Sequence, residues 1–569
     1  MKDSKKDEIG LALSGGVMVA AAGGAATMRG FQQQHITIGG EERPAMEAFD
    51  YVSGLSGGII PTVLYSYAQN VDTNTLLDAE WREFDPSKIT SKVLNRRVKG
   101  SVFNQVTTSM ILFALPMTFY MCCSCSLHSF VPLVVWFGIL RKFGIKRNCF
   151  FAQDADAFAK KDVRSSIAPR KDVKIIPLIN FIMVGEAEIR GRPRIDAYFD
   201  VIQHLNKQGI MNTFTTPEQI EDAIQTVDNG TLIPYIASPT EIIHSYRTES
   251  PGNDGPIFKT SSIPTQEWGN RKIRFSLEFL MAMGTNCLGM GGVAEDGDAV
   301  GTKVRIAAAQ IRKVPFGENG EEKELMFVDG GLIDGLGVPA LVQRKVRKII
   351  ASIWPHREIR KYEHLYKKTN GKMDLVGWLS ETKDLGFCEV ASYFGFYHGK
   401  HCLYMNHMFE DGRRHLEFLR EALDTLYEAG MPLVVTMKDV KVIDNPYWGI
   451  EGGETVDLTI IYYTLPKKFS DKIPRETVPP PDSDSPKVDD KGSFTNTEFK
   501  DFPNFNGFAN FGTTTKTWSF LRTAALSRRQ ANMSAHLGSW VINEAWEGLS
   551  VNGKEVFGGF KEILDPHDV

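Results

Sequence analysis

Three short glycine-rich stretches hold the residues best suited to chemistry. Gly54-Leu55-Ser56-Gly57-Gly58 satisfies G-x-S-x-G, in which small neighbours let a serine occupy a tight strand-to-helix turn with its hydroxyl exposed. The apolar run Ile59 to Ala68 follows it and reads as a buried helix, whose N-terminal dipole and free N–H groups would favour negative charge near Ser56. A nucleophile also needs a base and an oxyanion hole. Ser14-Gly15-Gly16 offers backbone N–H donors without side chains in the way, with Gly57 N–H as a second source. Asp329, in Val328-Asp329-Gly330-Gly331, ends a short apolar run and would present a carboxylate at a glycine turn. Two arrangements fit these residues. One is a Ser-His-Asp triad drawing on His356, His364, His398, His401, His407, His415 or His536; the other is a Ser-Asp dyad without histidine. The elbow serine of an α/β-hydrolase follows several strands, whereas about one strand-helix unit precedes Ser56, which favours the dyad.

The elements that must position these residues follow from the apolar pattern. Ile9 to Leu13 reads as a strand feeding Ser14-Gly15-Gly16, and the small residues up to Met28 suit a closely packed helix. Phe49 to Val52 repeats the unit ahead of Ser56. Strands feeding glycine turns and helices indicate an α/β fold, whose ligands lie outside the carboxyl ends of the strands. Further along, Val173 to Gly185, Thr231 to Ser238, Met326 to Val328, Leu433 to Val442 and Val456 to Leu465 read as strands. Glu218 to Val227, Leu416 to Tyr427 and Leu521 to Leu549 read as helices, and residues 466–493, with Pro479-Pro480-Pro481, as a surface linker or disordered insertion.

Composition narrows the class. The 569 residues are 42% hydrophobic and 24% charged, ordinary values for a globular chain. The net charge of −4 supplies no global basic field, so nucleic acid is not an expected partner. Seven cysteines, an odd number partly clustered at Cys122, Cys123 and Cys125, do not form a disulfide framework and suit a reducing, cytoplasmic setting. The charged start interrupted by Asp3, Asp7 and Glu8, and the glycines within Leu11 to Ala26, argue against a cleaved secretory signal. The spacing of Cys and His shows no zinc motif, and no calcium loop or internal repeat is present, so no metal or cofactor is expected.

Taken together, Leu11-Ala12-Leu13-Ser14-Gly15-Gly16, then Tyr51-Val52-Ser53-Gly54-Leu55-Ser56-Gly57-Gly58 with Leu64-Tyr65-Ser66, then Val328-Asp329-Gly330-Gly331-Leu332, resemble the catalytic domain of cytosolic phospholipase A2 within the patatin-like group. The resemblance implies a three-layer α/β/α patatin-like acyl hydrolase fold with an apolar insertion, formed as one large domain over residues 1–569. It implies Ser56 as nucleophile and Asp329 as its activating partner, with Gly15, Gly16 and Gly57 supplying or permitting the oxyanion N–H groups. The implied substrate is a phospholipid, a lysophospholipid or another glycerolipid. The pattern departs from the family's Ser-Gly-Gly-Gly-x-Arg, since Val17 and Val19 replace the third glycine and the arginine. Arg29 lies about 15 Å further along a helix, out of reach of the missing phosphate contact. A calcium-binding C2 module has no room before Leu11. The competing expectation is a non-catalytic lipid-binding or membrane-scaffolding protein that kept the fold and lost oxyanion geometry through Val17 and Val19.

Residues 101–140 contain no Asp, Glu, Lys or Arg, although the average composition would place about ten there. Arg96, Arg97 and Lys99 precede this stretch and Arg141, Lys142, Lys146 and Arg147 follow it. A single crossing would put Ser56 and Asp329 on opposite faces of a bilayer, and two crossings of about 20 residues leave almost nothing for the turn. A shallow re-entrant hairpin is therefore expected, with Met110, Leu112, Phe113, Phe119, Leu133, Trp136 and Phe137 as the membrane-binding residues on the cytosolic face of a membrane. The alternative is a buried lid or core insertion. Cys122, Cys123, Cys125 and Cys149 are candidate acylation sites, and Gln343 to Lys348 reads as a solvated helix face, with a lipid-surface role as the alternative.

Overall fold

The computed structural model describes residues 7–107, 130–147, 150–151, 166–167, 170, 172–186, 233–247, 258–264, 276–285, 310–317, 321–355, 385–396, 403–410, 412–474, 476–477 and 526–564. Their centre is a mixed sheet of eleven strands flanked by helices. In chain order the strands are β1 (Ile9–Leu13), β2 (Tyr51–Leu55), β3 (Ile176–Glu186), β4 (Ile233–Ala237), β5 (Glu241–Arg247), β6 (Phe258–Pro264), β7 (Gln310–Phe316), β8 (Glu321–Asp329), β9 (Lys348–Ile353), β10 (Leu433–Lys441) and β11 (Thr455–Tyr462). The sheet runs β6-β5-β4-β3-β2-β1-β9-β11-β10, with β8 pairing β3 and β7 pairing β8. Strands β3, β2, β1, β9 and β11 are mutually parallel, and antiparallel strands extend both sides.

The parallel block explains the hydrophobic runs. Ile9 to Leu13 is buried throughout because β1 lies between β2 and β9 and is covered on both faces. Helix α1 (Val17–Gln33) follows β1, and α2 (Ile59–Tyr67), buried along its whole length, follows β2. Later helices include α3 (Phe130–Gly138), α4 (Leu277–Gly284), α5 (Val338–Gln343), α6 (Leu385–Tyr393), α7 (Gly412–Glu428) and α8 (Arg528–Glu544). In α7, Leu416, Leu419, Leu423 and Leu426 recur at helical spacing on the buried face. Helix α8 starts with a capping box, in which the Ser527 hydroxyl accepts from Gln530 N–H and the Gln530 side chain accepts from Ser527 N–H.

Small residues let α1 and α8 pack with their backbones nearly in contact. A Cβ on Gly538 would lie 2.5 Å from the Ala26 carbonyl oxygen, and one on Gly30 2.5 Å from Ile542. Arg29 is consumed by this contact. Its fully buried guanidinium donates to Asp78 O (2.8 Å), Ala535 O (2.8 Å), Ser539 Oγ (2.6 Å) and Trp81 O (3.1 Å), so it serves no ligand.

Two expectations change in detail. The stretch read as a linker from residue 466 begins as folded structure: Lys467–Ser470 is helical, Phe469 packs against Trp540, and Thr477 Oγ1 donates to Ile89 O. Residues 478–493 lie outside the described residues. Both described ends of the charge-free stretch join the core, through Val102, Phe103 and Val106 on one side and Val135, Ile139 and Leu140 on the other. Helix α3 at nine residues is about 14 Å long, and among the described residues no helix is long and apolar enough to cross a membrane. Met110, Leu112, Phe113, Phe119, the four cysteines named above and Glu218 to Val227 lie outside the described residues.

Because the α1–α8 crossing leaves no room for a side chain, Gly538→Val should cost about 2–3 kcal/mol. Urea unfolding checks this, with a lower midpoint and an unchanged slope expected.

Candidate active site

Sheet register brings the three glycine-rich stretches together. Strands β1 and β2 are adjacent and parallel, with Leu13 opposite Gly54, so Ser14-Gly15-Gly16 and Ser56-Gly57-Gly58 leave the same edge side by side. Strand β2 pairs with β3 as far as Leu55 opposite Asn180, and β8 pairs with β3 from Asp329 opposite Phe181 onward. The other edge of β3 is occupied by β4 across Ile179 to Met183, so β2 and β8 share one edge. They run in opposite directions and meet at their carboxyl ends. Ser56 and Asp329, 273 positions apart in the chain, thereby face each other across the junction.

Ser56 Oγ donates to Asp329 Oδ2 at 2.6 Å. The histidine alternative is left without a described candidate in this position: His407 lies beside Gly395, His415 stacks on Phe394 and His536 meets the Trp81 ring. His356, His364, His398 and His401 lie outside the described residues. Ser56 has a φ of 47°, a left-handed conformation that costs a non-glycine residue roughly 1–2 kcal/mol. The turn imposes it, because Leu55 is still extended while Ile59 is already helical. Gly58 is required by crowding, since a Cβ there would lie 2.5 Å from Leu13 O.

The glycine loop divides its tasks. Gly15 N–H donates to Gly335 O at 2.8 Å and is therefore committed, so Gly15 contributes closeness, a Cβ there lying 3.1 Å from Ser56 Cβ. Gly16 has a φ of 133° and caps α1, and this is the position that demands glycine. Val17 is the first helical residue and is not among those with positive φ. The opening N–H groups of α1 lack intrahelical acceptors and lie beside the Ser56 turn. Ser14 is structural: its hydroxyl accepts from Trp354 N–H at 3.1 Å.

Asp329 is fully buried and accepts a second hydrogen bond, from Gly331 N–H to Oδ1 at 2.9 Å. Burial pushes its carboxyl up to about 7, against the opposing pull of the bonds from Ser56 and Gly331. A base with that affinity is matched to neutral pH. The surrounding frame went unread in the sequence. Asn180 Nδ2 donates to Ser53 Oγ and Gly54 O, both at 2.9 Å, and Ser53 Oγ donates to Gly337 O at 2.7 Å. One polar residue inside the apolar run Ile176 to Val184 was the available signal for it. Among the described residues no cluster of His, Cys, Asp and Glu could hold a metal ion.

A base acting as its carboxylate would make Ser56 reactivity rise with pH through about 7, read as the rate of fluorophosphonate labelling between pH 5 and 9. A midpoint at the usual carboxylate value would mean a solvated Asp329. For folding the sign is reversed. The folded state holds this proton more tightly than the unfolded chain, so the stability contribution is full below the usual carboxylate range and is lost as pH rises through about 7.

No protein-family model and no curated protein sequence matches the chain, and the chemistry of the site follows from its own geometry.

Proposed function

We propose that the protein is a calcium-independent, membrane-associated lipid acyl hydrolase of the phospholipase A2 or lysophospholipase type, built on a patatin-like three-layer scaffold. The observation that carries this reading is the direct 2.6 Å bond from Ser56 Oγ to a buried Asp329 whose proton affinity is tuned near neutrality. In the first step Ser56 Oγ attacks the ester carbonyl carbon while its proton passes to Asp329, and the carbonyl electron pair becomes an oxyanion. Gly57 N–H and the opening N–H groups of α1 would receive that charge, aided by the helix dipole. Collapse expels the alcohol, which takes the proton from Asp329 and leaves an acyl ester on Ser56. Water then attacks the acyl carbon and gives a proton to Asp329. That proton returns to Ser56 as the fatty acid leaves.

The seat of Val17 inside α1 supports the hydrolase over the non-catalytic alternative, because its replacement of glycine leaves the turn intact. Membrane association is supported by α3 and its flank. Phe137 is 50% exposed, Trp136 is half-buried with Nε1 donating to Ile145 O, and the Arg141 guanidinium lies 5.4 Å from the Phe137 ring centre and 5.8 Å from that of Trp136. Leu133 is in the same helix, but its side chain is outside the described set. An apolar ring beside Arg141 and Lys142 suits an anionic lipid interface. Helix α3 packs on α4, and a Cβ on Gly284 of α4 would meet Ile59 and Asn180, so the exposed ring is one helix removed from the nucleophile.

Fatty-acid release from phospholipid vesicles in the presence of a calcium chelator tests the activity. Wild type should release product, and Ser56→Ala and Asp329→Asn should each lower the rate by at least about 10³-fold. Cleavage of soluble esters but of no lipid would contradict the substrate class. In flotation with anionic vesicles, Phe137→Ser with Arg141→Ala should bind several-fold more weakly and leave Ser56 labelling unchanged; undiminished binding would remove α3 from the membrane contact.

A further inference from the structure

Behind the glycine loop lies a pair of buried acids that the reaction above does not use. Asp334 and Glu389 are 1% and 4% exposed, Glu389 being carried on α6 with Tyr393 one turn later on the same face. Asp334 accepts three hydrogen bonds, from Leu336 N–H (3.0 Å), Gly337 N–H (2.8 Å) and Tyr393 Oη (2.7 Å). Glu389 Oε1 accepts one, from Gly335 N–H. Gly335 thus bonds in two directions: its N–H to Glu389 and its carbonyl to Gly15 N–H, and Gly15 rests against Ser56. The segment from Ile333 to Gly337 is tied elsewhere too, through Asn406 Nδ2 to Ile333 O at 2.6 Å and Ser53 Oγ to Gly337 O.

We propose that Glu389 is a positioning residue for this active site: by holding Gly335 it fixes the seat of Gly15, and with it the spacing between the oxyanion loop and Ser56. The inference rests on the hydrolase reading above. Among the described residues Glu389 is the side chain of α6 that bonds Gly335 directly, whereas Tyr393 reaches the following peptide through Asp334, which accepts from Leu336 N–H. Burial raises both carboxyls, and the neighbouring Asp334 carboxylate pushes Glu389 further up. Gly335 N–H needs an acceptor oxygen at this point, and glutamine supplies one of the same size. Leucine supplies none, yet it removes the carboxyl pair and keeps the volume, so the fold has little reason to fail.

The test measures fluorophosphonate inactivation at Ser56 in wild type, Glu389→Gln, Glu389→Leu and Glu389→Asp, with unfolding midpoints for each. Expected is a maximal inactivation rate about 10- to 100-fold lower in Glu389→Leu with probe affinity within about twofold, and rescue to near wild type in Glu389→Gln. Amide exchange at Gly15 should quicken in Glu389→Leu alone of these two, without a change in α8. If Glu389→Leu does not fold, Glu389→Asp decides, since one fewer methylene withdraws the acceptor; a wild-type rate there overturns the proposal. A reactive wild type with an equally reactive Glu389→Leu overturns the positioning role alone. Wild type that is never labelled at Ser56 overturns the hydrolase reading and this role together.

Discussion

One edge of β3 is shared by two strands, and most of the site depends on how they share it. Strand β2 comes along that edge from one end and β8 from the other, and the boundary falls between Asn180 and Phe181. Two carboxyl ends therefore abut where a sheet normally carries a single continuous neighbour. The junction leaves almost no volume: a Cβ on Gly330 would lie 2.7 Å from the Leu55 side chain and 3.2 Å from Asn180 O. Asn180 fixes the boundary from the β3 side by binding the last turn of β2. The dyad is thus a product of sheet register, and a one-residue slip in either strand would turn Ser56 or Asp329 to the wrong face.

The same junction sets the electrostatics. It places Asp329 out of water with two hydrogen-bond donors. Asp334, five residues later and equally buried, accepts three hydrogen bonds, and burial raises its carboxyl as well. The strained φ of Ser56 belongs to the same bargain, because an unstrained turn would carry the hydroxyl away from the carboxylate.

The sequence made the local parts of this arrangement visible and hid the relations between them. Ile9 to Leu13, the Ser56 turn and the Asp329 turn could be read because each has its own apolar run and glycines. Chain order favours a direct carboxylate over a histidine as partner of Ser56, because only about one strand-helix unit precedes it, but the strand pairing that brings the two together spans 273 positions and leaves no local trace. Asn180 passed as one polar residue in an apolar strand, and Glu389 and Tyr393 as ordinary helix residues, because their partners are backbone groups that leave no mark on composition. The departure from glycine at Val17 is legible in the sequence, whereas its place as the first residue of α1 is not. Residues 466–477 were hidden by the prolines and charges that follow them.

The crossing of α1 and α8 also bears on how the protein comes into being on the ribosome. Helix α1, directly after the first strand, closes against a helix that begins only at Arg528, and β1 itself needs β9 at residues 348–353 as its second neighbour. At about 5–20 residues per second, the time from synthesis of Ser56 to completion of α8 is on the order of a minute. For the first 273 residues of that interval Asp329 is not yet made, and to its end α1 lacks its partner helix. A polypeptide released or cut just ahead of α8 carries Ser56 and Asp329 but leaves α1 without the helix it closes against.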